Sequence, residues 1–121
     1  MQEKFSYIKT RFKMTNVITN NNLKCTIALA ALQNVIDPEI GISVVDLGLI
    51  YQIDFSEADK KVFVRMTLTT QFCPMGESLT GAVKRAIEQT FTGEEIFVEL
   101  TFDPPWNHER ISEEGKQFLN R

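Results

Sequence analysis

One segment of this chain has the residue types and spacing to do chemistry, Thr69-Thr70-Gln71-Phe72-Cys73-Pro74-Met75-Gly76. Proline is favoured at the first helical position, so Cys73 is expected at the N-cap of a helix. A thiol there faces free backbone N–H groups, such as that of Gly76, and the positive end of the helix dipole. Both favour the thiolate, the form that binds metal or attacks an electrophile. Gly76 leaves the backbone open to something bulky, while Glu77 in the same turn opposes the thiolate. The competing reading is a buried cysteine that only caps the helix, since cysteine is among the most buried residue types.

Other candidates are sparse. Asp37 and Asp46 suit ligands, proton carriers or braces that accept backbone N–H groups. For Asp37, followed by Pro38, the turn brace is the better reading. Thr70 stands three residues before Cys73. Trp106 follows Pro104-Pro105, as a recognition surface or a lid, and His108 is the lone histidine. Cys25 lies off the apolar stripe of the first predicted helix and receives no role.

The chain has 121 residues, two cysteines and one histidine. Neither a disulfide framework nor a self-contained structural zinc site can be built from these. Hydrophobic residues are 43%, charged residues 24% and the net charge is −3, which fits a globular domain and argues against a nucleic-acid binder. No apolar run approaches the roughly 18 residues of a membrane span. Unpaired cysteines suit a reducing cytoplasm. Residues 1–26 carry five basic side chains and one acidic, whereas 27–121 carry eight and fifteen. Residues 1–22 read as a polar, poorly structured leader, with Met14 as an alternative start, and 23–121 as a single domain.

The elements that must position the candidates follow from periodicity. Leu23, Ile27, Ala31 and Val35 recur every four residues, predicting a helix over 23–36 stopped by Asp37-Pro38. Alternating apolar residues predict strands over 49–55 and 62–68, joined as a hairpin. A stripe of Met75, Leu79, Val83, Ala86/Ile87 and Phe91 predicts a helix from Pro74, with Gly93 as its C-terminal cap. A third strand over 96–102 stops at Pro104-Pro105. A short helix over 111–119 begins near Ser112. The expected fold is therefore α/β, in the order α-β-β-α-β-α, a small mixed three-stranded sheet with helices packed on it. The second and third strands, joined through a helix, should run parallel. Loops 41–48, 69–74 and 103–109 then meet at one sheet edge, where α/β folds favour ligands.

Together the motifs resemble a known family. They are Val35-Ile36-Asp37-Pro38-Glu39-Ile40-Gly41, Val45-Asp46-Leu47-Gly48-Leu49-Ile50-Tyr51, Met66-Thr67-Leu68-Thr69-Thr70 leading to Cys73-Pro74-Met75-Gly76, and Pro104-Pro105-Trp106-Asn107 leading to Ile111-Ser112. Four in this order, over about residues 24–120, are similar to the iron–sulfur cluster assembly family of the SufT and PaaD type, the metal–sulfur cluster biosynthetic proteins. The resemblance implies an iron–sulfur-cluster-assembly-like fold and a role in maturing iron–sulfur proteins, with Cys73 the functional residue. Gln71-Phe72 departs from the Pro-Gly type pair common before that cysteine. The Cys-X-X-Cys of related scaffold domains and the cysteine-bearing PaaD extension are absent, which favours the SufT-like branch.

The expected function is a non-enzymatic maturation factor. It binds iron or a cluster transiently through Cys73, with Asp37, Asp46 and Thr70 as accompanying site residues. Its partners would be the assembly machinery and client apo-proteins, not nucleic acid or membrane. An apolar edge strand leaves a homodimer open. The alternatives are a thiol enzyme, with Cys73 as nucleophile, Thr70 beside it and His108 as base, and a pure interaction module using Trp106.

Overall fold

The computed structural model describes residues 17–69 and 76–119. Strand β1 covers Ile18–Thr19, helix α1 Asn22–Leu32, β2 Ile50–Ser56, β3 Lys61–Met66, α2 Gly76–Thr90, β4 Glu95–Leu100 and α3 Glu113–Leu119. A 3-10 turn at His108–Arg110 precedes α3. The class and element order match expectation, and the sheet gains one strand.

That strand is β1. It lies parallel to β2, with Ile18 opposite Gln52, so the sheet runs β1-β2-β3-β4 with four strands rather than three. Residues 18–22, assigned above to the leader, therefore carry structure. The Asn20 side chain donates to the Phe55 carbonyl at 2.9 Å and accepts from the Phe55 N–H at 2.9 Å, as a strand residue would. Asn21 accepts from the Lys24 N–H at 3.0 Å and caps α1. A two-residue strand is too short to show a period, and consecutive asparagines resemble a linker. Residues 1–16 lie outside the described residues.

Helix α1 ends earlier than predicted and buries a different face. After Leu32 the chain tightens through the Asn34 N–H to Ala31 O and the Val35 N–H to Leu32 O. Residues 35–37 then pair with 42–44, through the Asp37 N–H to Ile42 O and the Val44 N–H to Val35 O, both 2.9 Å. The core side is Cys25, Ala28, Leu29 and Leu32, whereas Leu23 and Ile27 are 73% and 44% exposed. Both sets have helical spacing, because the segment is apolar almost all round. Packing beneath the sheet decides between them.

The hairpin and the crossover follow expectation. Ile53 faces Val64 and Phe55 faces Val62 across antiparallel β2 and β3, while Val64 faces Val98 across parallel β3 and β4. Leu79, Val83 and Ile87 of α2 are buried with Ile53, Val62, Val64 and Met66 of the sheet. Gly93 is left-handed, with φ +86°, just past the helix end. The other face of the sheet shows Phe63 stacked on Phe97 at 5.3 Å, beside an exposed Arg65–Glu99 ion pair. Among the described residues no helix is long and apolar enough to cross a membrane.

Candidate functional site at one edge of the sheet

Ile50, Met66 and Leu100 stand in register at one edge, the beginning of β2 and the ends of β3 and β4. The ladder runs one step further, through the Thr67 N–H to Leu49 O and the Thr101 N–H to Met66 O, both 2.8 Å. The segments before Leu49, after Thr67 and after Thr101 therefore leave from the same edge, as the parallel topology requires.

A register shift between Ile50 and Gln52 makes Tyr51 the extra residue of a bulge. Its hydroxyl donates to the Pro104 carbonyl at 2.7 Å, and the Arg110 guanidinium lies 4.3 Å from its ring centroid. Arg110 Nε donates to the Gly48 carbonyl at 2.9 Å, and Trp106 Nε1 to the Leu47 carbonyl at 2.6 Å. The His108 ring lies tilted against Trp106 at 5.0 Å. Gly48, with φ +75°, can approach Arg110 closely because it has no Cβ. The 103–112 segment is thus clamped to the 44–48 turn.

Asp46 closes the other end of the clamp. Its carboxylate accepts from the Ser112 hydroxyl at 2.9 Å, and its carbonyl from the Ser112 N–H at 2.7 Å. Ser112 Oγ also accepts from the Gly115 N–H at 3.0 Å, which makes it the cap of α3. The Asp46 N–H donates to Ser43 Oγ at 3.0 Å. A cleft of about 300 Å³ lies beside this junction, lined in part by Val17, Gln33, Asp46, Arg110 and Lys116.

Asp37 is buried, and its carboxylate serves its own turn. Oδ1 accepts from the Glu39 N–H at 2.8 Å and the Ile40 N–H at 3.3 Å, and the Asp37 carbonyl accepts from the Gly41 N–H at 2.7 Å. Cys73 and Thr70 lie outside the described residues. In the chain they fall between Thr69, past the end of β3, and Gly76, the first residue of α2. Among the described residues no three histidine, cysteine or acidic side chains are grouped to hold a metal.

The sequence reading named Tyr51 only as part of a motif and gave Arg110 no role, and their contact across 59 positions of chain has no local signal. It also gave Cys25 no place, yet Cys25 is fully buried. Burial pushes its thiol above the ordinary 9.0, Asp54 adds to this, and a hydrogen bond with Thr19 opposes it.

The model of the iron–sulfur cluster assembly protein family matches residues 27–99. The chain belongs to this family. It is 34% identical over 88 residues to the Fe-S protein maturation auxiliary factor YitW of Bacillus subtilis, covering 73% of this chain and 85% of that one. It is 35% identical over 82 residues to the auxiliary factor SufT of Staphylococcus aureus, covering 68% and 92%. A solved domain of unknown function, DUF59, from Bacillus anthracis superimposes with a TM-score of 0.73 at 34% identity, covering 79% of this chain and 90% of that one. The SufT and PaaD resemblance read from the four motifs is thereby confirmed.

Proposed function

We propose that this chain is an auxiliary factor in iron–sulfur protein maturation that handles iron or a cluster as cargo through Cys73, without catalytic turnover. The observation that carries this is convergence. In a member of the cluster assembly family, three of the four motifs meet in one clamped edge of the sheet, and Thr69 leads from that edge into the Cys73 segment. A cluster typically takes four protein ligands. One thiolate therefore shares its cargo with a client, a second copy or a small thiol, and the coordination is transient.

The partners on this reading are the assembly machinery and apo-clients in the reducing cytoplasm. The clamp around Trp106 and Arg110 supplies a fixed surface at the sheet edge, and on this reading Asp46 holds the clamp rather than the cargo. The test is complementation of a cluster-dependent enzyme in an assembly-deficient cell. Wild type restores its activity and Cys73→Ser does not, at equal protein level. Full restoration by Cys73→Ser overturns the cargo role. Turnover of a peroxide or thioester by the purified protein, lost with Cys73→Ser, would replace it with a thiol enzyme.

A further inference from the structure

Among the described residues β4 is an edge strand with no strand on its outer side. The Glu95 N–H donates to Lys60 O and the Thr101 N–H to Met66 O, so the odd-numbered residues of β4 turn their backbone towards β3. Backbone groups alternate sides along a strand, so Ile96, Val98 and Leu100 direct theirs outward. Among the described residues β4 pairs with β3 alone. Six residues run without a bulge or proline, two of the features that usually blunt an edge, and its charges are confined to Glu95 and Glu99. Beside it Leu100 is 40% exposed, Phe97 39% and Phe102 36%.

We propose that a second copy of this chain pairs with β4, antiparallel and about a two-fold axis at Val98, to form one continuous sheet. Charge and paired length select the register, and an axis at Ile96 would pair only three residues of β4 with their copies. Glu95 and Glu99 are the charged residues of β4. An axis at Phe97 sets Glu95 opposite the partner's Glu99 twice, and an axis at Glu99 sets two Glu99 carboxylates together. Like charges directly opposite are destabilising. An axis at Leu100 requires extended backbone through Asp103. There Thr101 and Asp103 instead bond to each other, Thr101 Oγ1 to Asp103 O at 3.4 Å and the Asp103 N–H to Thr101 Oγ1 at 3.3 Å.

The axis at Val98 avoids all of these conflicts. Glu99 then faces the partner's Phe97, and Glu95 faces the partner's Thr101. On the core side Ile96 faces the partner's Leu100 and Val98 faces the partner's Val98, so the apolar layer continues across the junction. The interface is isologous, and each contact off the axis occurs twice. The two site edges point apart in this pairing.

The test is the mass of the full chain in solution across a dilution series, together with amide hydrogen exchange. Wild type sediments at twice 13.9 kDa and dissociates on dilution. The amides of Ile96, Val98 and Leu100 are protected in the dimer and released with it. Those of Glu95, Phe97 and Glu99 stay protected throughout. Leu100→Lys, at an exposed position, sets a charge against the partner's Ile96 on both sides of the axis. It raises the dimer dissociation constant by about a hundredfold or more. A monomer at every concentration overturns the proposal. So does a dimer that survives Leu100→Lys and leaves the three outward amides in fast exchange. Neither result bears on Cys73.

Discussion

Replacing Gly48 by alanine tests the clamp most directly. Gly48 has φ +75°, and a left-handed conformation costs an alanine roughly 1–2 kcal/mol. The added Cβ would also overlap the Arg110 carbonyl oxygen and come within 2.7 Å of Arg110 Cβ. Those atoms are backbone or adjoin it, so relief requires the whole segment to shift. Overpacking of that kind adds about 1–3 kcal/mol. Gly93→Ala is the matched control: φ is +86° and nothing lies within 4 Å of the new Cβ, so only the conformational cost applies. Gly48→Ala should therefore lose about 2–5 kcal/mol and Gly93→Ala about 1–2. Urea unfolding followed by fluorescence measures both, because Trp106 is the only tryptophan and lies in the clamp. The midpoint falls while the slope stays constant. If the two variants agree within about 0.5 kcal/mol, Arg110 is not held against Gly48 and the clamp is wrong.

Asn20→Ala removes both bonds to the Phe55 backbone and should cost about 1–3 kcal/mol, seen as a lower thermal midpoint. An unchanged midpoint would mean β1 adds nothing to the fold. The raised thiol of Cys25 gives a pH dependence with a definite sign. A folded value above the unfolded one stabilises below the ordinary 9.0, and this is lost as pH climbs towards the folded value. Stability in a Cys73→Ser background should therefore decline on the alkaline side, and Cys25→Ala should flatten that decline. Native Cys25 should also resist a thiol reagent near neutral pH until urea unfolds the chain, and prompt labelling of the native protein would contradict its burial.

The parts of this fold legible in the sequence are those whose signals are local and repeated. The alternation in β2, β3 and β4 and the stripe Leu79-Val83-Ile87 gave the hairpin, the crossover and the edge where the loops gather. Helix α1 misled because its apolar residues encircle it, and only burial under the sheet shows that Cys25, not Ile27, faces inward. β1 was hidden because it is two residues long and the pairing beyond it is made by the Asn20 side chain, which leaves no hydropathy pattern. At the site, Ser112 was legible as a cap from its place before Glu113. Its bond to Asp46 joins positions 66 apart, and no spacing rule announces such a contact. The Arg110–Tyr51 stack was invisible for the same reason.

Three of the bonds that hold the 103–112 segment have a common form. Tyr51, Trp106 and Arg110 each address a main-chain carbonyl, those of Pro104, Leu47 and Gly48. A carbonyl is offered by every amino acid. The bonds themselves thus constrain three donor side chains and leave the residues that accept them free to vary, within the limits of core volume at Leu47 and left-handed backbone at Gly48. Relatives that diverge at position 104 can keep the same geometry, whereas an exchange of Trp106 for phenylalanine abolishes its bond outright. The edge is in this sense written in few letters, and variation at the accepting positions can reshape its outer surface without loosening the joint beneath.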